Sequence, residues 1–190
     1  MQEKKIIAKI SAGDHSAFKE LFDAYNVKVF NICYRILGNR QEAEDVTQDV
    51  FFQVYKSASR FRFESKLSFW LYRIAVNLSL NHQKRKKRQQ WFSLDVLTEG
   101  TQENIERTPV SPESSPDVLL EKSEKAFIVR QAIDQLPKQQ RVAVILHRYE
   151  GLSYQEIAEV MACSVSSVES RLHRAKVSLA KKLLSVQQEI

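Results

Sequence analysis

An all-α protein of two small helical domains joined by a flexible acidic linker is the fold class that this 190-residue sequence predicts. Three observations carry that expectation. Apolar residues recur at three- and four-residue steps through most of the chain, and no strand-like alternation of useful length occurs. Charge falls in blocks: residues 1–88 carry 17 Lys/Arg against 9 Asp/Glu, residues 89–121 carry 1 against 7, and residues 122–190 carry 11 against 7. The middle block also holds Pro109, Pro112 and Pro116 with Ser111, Ser114 and Ser115, a composition of low helical order suited to a solvated tether. The expected divisions are therefore 1–90, 91–121 and 122–190.

Punctuation residues divide the first domain into helices. A short helix near residues 3–12 is stopped by Gly13, and Asp14 caps a second over residues 15–37, with an interruption near Asn26 left open. Gly38 stops that helix. A third follows over residues 40–58, in which Ala43, Val46, Val50, Val54 and Ala58 form the buried stripe and Glu42, Asp45, Gln48, Asp49 and Gln53 face outward. Such an acidic face in a basic domain is either ordinary solvated surface, since exposed charge pairs contribute little to stability, or a docking face for a basic partner.

Between the third helix and a fourth over residues 67–88, the run from Arg60 to Arg73 alternates aromatic and basic side chains. Trp70, Leu71, Ile74, Leu78 and Leu67 fit the inner face of the fourth helix. Phe61 and Phe63 instead fall in the preceding loop, beside Arg60, Arg62 and Lys66. Rings and cations together suit unstacked bases of a single strand, at roughly 1–3 kcal/mol for each stacked base. The fourth helix is expected to end in the cations Lys84 to Arg88, which suit phosphates, a solvated helix end or a membrane surface; no large apolar face accompanies them to favour the last.

The second domain carries a helix-turn-helix pattern over residues 153–176. Ser153 with Glu156, and Ser166 with Glu169, each fit the Ser-x-x-Glu capping box, so two helix starts lie close together and force a tight turn. In the second of these helices Val165, Val168, Leu172, Ala175, Leu179 and Leu183 make one apolar stripe. The opposite face carries Ser167, Ser170, Arg171, His173, Arg174 and Lys176, able to donate to phosphates and base edges in a major groove.

Several classes of function are disfavoured. No apolar run approaches twenty residues, and the N-terminus lacks the apolar stretch of a signal peptide, so neither membrane insertion nor export is expected and the protein should remain in the cytosol. Cys33 and Cys163 sit in apolar helical patterns without CxxC spacing and read as small buried hydrophobes. His15, His82, His147 and His173 are scattered, so no metal site, cofactor or catalytic constellation is expected.

Taken in order, these segments resemble the bacterial RNA polymerase sigma-70 superfamily, and within it the compact extracytoplasmic-function (ECF) group, which keeps only sigma regions two and four. Region two is similar in Glu44 to Phe51, in Ser59-Arg60-Phe61 and in Phe69 to Asn77; region four in Leu136 to Arg141, in Glu150 to Tyr154 and in the helix-turn-helix. The resemblance implies that Asp45, Gln48, Asp49 and Phe51 lie at the surface and grip the polymerase clamp. It implies that the loop bearing Phe61, Arg62, Phe63 and Lys66, with Asn77 on the next helix, captures flipped bases of the promoter −10 element while Lys84 and Arg85 track the backbone. It further implies that the helix beginning near Ser166 enters the −35 major groove, with Ser166, Ser167, Ser170, Arg171, Arg174 and Lys176 at the DNA. Implied partners are core RNA polymerase, promoter DNA and an anti-sigma factor, with no catalysis by the chain itself.

The chain departs from the family pattern in the turn, where Ala162 and Ser164 replace the commoner Asn or Asp and Pro, and at Glu169, where Lys or Arg is frequent; Glu169 suits a helix cap or a cytosine amine instead. No further domain follows residue 190, so autoregulation by a C-terminal extension is not expected. Two other classes stay open: a free-standing helix-turn-helix regulator, against which the aromatic-basic loop and the five-cation run argue, and a nucleic-acid enzyme, against which the absence of paired carboxylates argues.

Overall fold

The computed structural model describes residues 2–94 and 126–187, with side chains described over 3–89 and 126–184; every regular element among them is helical. In order these are α1 (Gln2–Ser11), α2 (His15–Leu37), α3 (Arg40–Ser57), a 3-10 turn (Ala58–Arg60) and α4 (Leu67–Leu94), then α5 (residues 126–134), α6 (Lys138–Arg148), α7 (Tyr154–Met161) and α8 (Val165–Gln187). They fall into two compact units, the first dominated by α1–α4 and the second by α5, α6 and α8. Apart from residues 91–94, which α4 takes in, the expected linker lies outside the described residues. No helix among the described residues is long and apolar enough to cross a membrane.

Capping fixes the helix ends of the first unit. Asp14 Oδ1 accepts from the Ser16 and Ala17 backbone amides at 2.8 and 3.2 Å and from the Ser16 hydroxyl at 2.6 Å, which starts α2 as the sequence indicated. Those donors, the Ser16 hydroxyl first, hold the Asp14 carboxyl below the usual carboxylate range. Gly38 adopts φ 77° and its amide donates to Tyr34 O, so the chain leaves α2 without a Cβ clash. Asn39 then caps α3 by accepting from Glu42 N at 2.9 Å. The interruption left open near Asn26 does not occur, because nothing in Tyr25-Asn26-Val27 removes an amide or forces φ positive.

A three-helix core follows from the stripes. Val29, Ile32, Cys33 and Ile36 of α2 meet Ala43, Val46, Val50 and Val54 of α3 and Leu67, Leu71 and Ala75 of α4, all nearly or fully buried. Each large side chain in that set contributes about 1.5–3 kcal/mol by leaving water. Burial also pushes the Cys33 thiol above its ordinary pKa, which leaves it protonated and inert. Cys163 is only half-buried, so the expectation of two buried cysteines holds for Cys33 alone. α1 is anchored on the bundle by Ile7 and Ile10.

In the second unit α6 packs on α8, with Val142, Ala143, Ile145 and Leu146 buried on one helix and Val168, Leu172 and Ala175 on the other. That α8 set is the centre of the predicted stripe. His147 Nδ1 lies 2.9 Å from Leu152 O, and its ring meets Tyr154 edge-on at 5.3 Å, tying the end of α6 to the start of α7.

Candidate nucleic-acid and partner interfaces

The helix-turn-helix is built by two caps, one of them two residues earlier than its sequence suggested. Ser153 and Glu156 form the full reciprocal box: the Glu156 carboxylate accepts from Ser153 N and Oγ at 3.0 Å each, and Glu156 N donates to Ser153 Oγ at 3.3 Å. The second helix starts instead on Ser164, whose Oγ accepts from Ser167 N at 3.2 Å and lies 3.1 Å from Ser166 Oγ. Ser166 and Glu169 therefore make no capping box; both are inside α8, and Glu169 faces solvent. The cause is Ala162, which turns to φ 50° and ends α7 with Cys163 N donating to Ala158 O at 3.0 Å, leaving Ser164 as the first residue able to cap. A left-handed alanine costs roughly 1–2 kcal/mol, the strain that a glycine at this turn would avoid.

Of the predicted DNA-contacting residues, Ser166, Ser167, Ser170, Arg171 and Arg174 line one open groove of the second unit, opposite Pro137, Gln139 and Gln140 at the start of α6. Hydroxyls and amides occupy its walls with guanidinium groups along α8, a donor-rich lining suited to phosphates and purine edges. Lys176 is exposed on α8 outside that lining. Gln139 and Gln140 are groove residues that the sequence reading did not assign, since nothing local links them to a helix twenty-five positions later.

On α3, Asp45, Gln48 and Asp49 are exposed, but Phe51 is 3 % exposed and so cannot grip a partner. Its ring packs on Phe22 at 4.7 Å and edge-on to Phe18 at 6.4 Å. At about 100° per residue, position 51 falls beside the Thr47 and Val54 side of the helix, whereas position 52 continues the Asp45, Gln48, Asp49 stripe at steps of three and four. Phe52 is the residue the sequence reading missed: it is 57 % exposed, with Lys56 Nζ 4.0 Å over its ring. Glu42, expected to point outward, turns toward α4 and pairs with Lys86, with His82 Nδ1 3.5 Å away.

Phe61 and Phe63 fall in the loop before α4, and their rings pack into one array. Phe61 lies flat on Trp70, centroids 4.5 Å apart and planes 22° apart, and Phe63 meets Phe61 edge-on at 4.7 Å. Trp70, placed in the core by periodicity, is therefore half-buried and belongs to this stack; Leu67 and Leu71 do lie in the core, and Ile74 and Leu78 are half-buried. Phe63 takes φ 56°, an unusual backbone for a bulky residue. Arg62 and Lys66 are exposed beside the rings, and Lys66 Nζ lies 4.9 Å from the Phe69 centroid. Asn77, Lys84, Arg85, Lys87 and Arg88 are exposed along α4. The cation run does not end the helix, which continues to Leu94, and Lys86 within it is drawn to Glu42.

The chain matches the family models for sigma-70 region 2 over residues 21–89 and sigma-70 region 4 over residues 126–179. It is 37% identical over 186 residues to the ECF RNA polymerase sigma factor SigW of Bacillus subtilis, covering 96% of this chain and 97% of that one. It is 35% identical to the RNA polymerase sigma-H factor of Pseudomonas aeruginosa over 96% and 94% of the two chains. Its fold is similar to CnrH, solved with the cytosolic domain of CnrY, at TM-score 0.66 and 21% identity over 95% of this chain and 96% of the other. It is likewise similar to the sigma factor RpoE of Bartonella quintana, solved with the anti-sigma factor NepR, at TM-score 0.64 and 23% identity over 87% and 96%. Two family models in the order region two then region four, with near-full-length relatives above 30% identity, place this chain in the ECF group of the sigma-70 family.

Proposed function

We propose that the chain binds core RNA polymerase and directs it to promoters through two DNA surfaces, with residues 1–90 acting as region two, 91–121 as a linker and 122–190 as region four. Asp45, Gln48 and Asp49, with Phe52 in place of Phe51, form the face offered to a basic segment of the polymerase clamp. Phe61, Arg62, Phe63 and Lys66, with Asn77, receive unpaired bases of the −10 element while Lys84 and Arg85 neutralise its backbone. Ser166, Ser167, Ser170, Arg171 and Arg174, with Lys176 flanking, meet the −35 duplex. An anti-sigma factor, of the kind bound to the similar RpoE of Bartonella quintana, covers one or more of these faces in the uninduced cell.

The observation that carries this reading is the pairing, within one small bundle, of an exposed acidic stripe on α3 with an aromatic-basic loop before α4. A protein that only gripped DNA would gain nothing from displaying Asp45 and Asp49, because both repel phosphate; a protein that must hold a basic partner and DNA together uses both. Run-off transcription with purified core polymerase on genomic promoter fragments tests it. Specific transcripts are expected from the wild type and not from the Asp45→Arg/Asp49→Arg variant, which retains its circular dichroism. Tight duplex binding without polymerase, and no transcripts, would make the chain a free-standing regulator.

A further inference from the structure

We propose that Lys4, on the first helix, is a positioning residue for the base-capture loop, so that α1 forms part of the single-strand site although it carries none of the residues assigned to it. The inference rests on the reading of the Phe61–Phe63 loop as the receiver of unpaired −10 bases. Phe63 and Ala162 are the non-glycine residues with positive φ among the described residues, and Phe63 is the bulkier. A backbone of that kind persists where its surroundings hold it in place. Two groups hold the Phe63 ring: Phe61, edge-on at 4.7 Å, and the Lys4 ammonium, 5.5 Å from the ring centroid.

Neither group is free to wander. Phe61 is stacked on Trp70 of α4 at 4.5 Å, which ties one end of the array to the bundle core through Leu67 and Leu71. Lys4 is carried by α1, whose Ile7 and Ile10 are each 2 % exposed and which packs on the 3-10 turn Ala58–Arg60 leading into the loop. The sequence Lys4, Phe63, Phe61, Trp70 is thus a ladder from the first helix to the last of this unit, spanning a loop that has no regular structure of its own over residues 61–66. Its consequence is preorganisation. A loop whose rings are already set presents a stacking surface without the ordering cost that a free loop meets on binding. Lys4 acts through Phe63, with its charge spent on the ring face and not on a phosphate.

The test uses the chain assembled with core polymerase and, as probe, a labelled single strand carrying the non-template −10 region of whichever promoter gives the strongest run-off product. Affinities are measured over a salt series for wild type, Lys4→Ala, Lys4→Arg, Phe63→Ala and the Lys4→Ala/Phe63→Ala double variant, with melting temperatures taken for each. Loss of one ammonium–ring contact predicts a two- to fivefold weaker binding for Lys4→Ala. Lys4→Arg should restore it, the double variant should bind no worse than Phe63→Ala alone, and the salt slope should stay unchanged. An additive double variant with a shallower salt slope would overturn the proposal and make Lys4 a phosphate contact. Full affinity for Lys4→Ala beside a weakened Phe63→Ala would also overturn it, leaving the loop reading intact; full affinity for Phe63→Ala would defeat the loop reading itself.

Discussion

Replacing Ala162 by glycine should stabilise this protein, against the usual direction of a substitution that adds backbone freedom. Ala162 closes α7 at φ 50°, where the methyl group crowds the following carbonyl at a cost of roughly 1–2 kcal/mol. Glycine removes that cost and adds unfolded-state entropy, which opposes the gain by about 0.4–1 kcal/mol. The methyl is exposed, so no burial is lost. The balance is a net stabilisation of about 0.8 kcal/mol, which for a unit of this size raises the melting temperature by about 3–6 °C. Thermal unfolding followed by far-UV circular dichroism reads it directly. Ala162→Val provides the opposing control, because a β-branched residue tolerates the left-handed region still less and should lower the melting temperature. A glycine variant that melts at or below wild type, with the valine variant unchanged, would refute the reasoning, since it would mean that the turn relaxes out of the left-handed region in solution.

Phe51 and Phe52 should separate cleanly: Phe51→Ala should cost about 3–5 kcal/mol of stability, whereas Phe52→Ala should melt within about 1 kcal/mol of wild type and weaken binding to core polymerase, as measured by thermal unfolding and a core-binding titration. The reverse pattern would mean that α3 is rotated by one residue. The Asp14 cap should be pH-dependent: its carboxyl titrates lower in the folded chain than in the unfolded one, so its stabilisation is present above about pH 4 and lost as pH falls through the folded value. The melting difference between wild type and Asp14→Ala should accordingly be flat from about pH 5 to 8 and shrink below about pH 4; a difference that widens toward acid would contradict the cap. Iodoacetamide on the native chain should modify Cys163 and spare Cys33 until denaturant is added, read by mass spectrometry, and equal labelling of both would show that the core opens at Cys33.

What the sequence made legible here is what depends on a few neighbouring residues. Asp14, Gly13 and Gly38 announced their helix ends, because a short side-chain acceptor or a missing Cβ is a local requirement. The stripe of Ala43, Val46, Val50 and Val54 announced the buried side of α3. Aromatic residues were harder to place, since rings serve equally in a core and on a stacking surface: Trp70 satisfies helical periodicity yet stacks on Phe61 outside the core, and Phe51 and Phe52 differ only by one step of rotation. Residues whose roles depend on distant partners gave no local sign. Lys86 stands in a run of five cations, but Glu42, forty-four positions earlier, singles it out.

That last pair bears on how the two surfaces of the first unit are kept apart. Glu42 lies on the acidic helix and Lys86 within the basic run, and the two side chains meet across α3 and α4. An unpaired Glu42 carboxylate turned toward α4 would weaken the pull of the basic run on phosphates, and an unpaired Lys86 ammonium turned toward α3 would weaken the pull of that helix on a basic partner. By engaging each other across α3 and α4, with His82 beside them, the two side chains remove one charge of the wrong sign from the margin of each surface. The pair contributes little to stability at its half-exposed position. Its effect is on the field: Asp45 and Asp49 keep the middle of α3 acidic, Lys84, Arg85, Lys87 and Arg88 keep their stretch of α4 basic, and a single four-helix unit can attract partners of opposite charge on different helices.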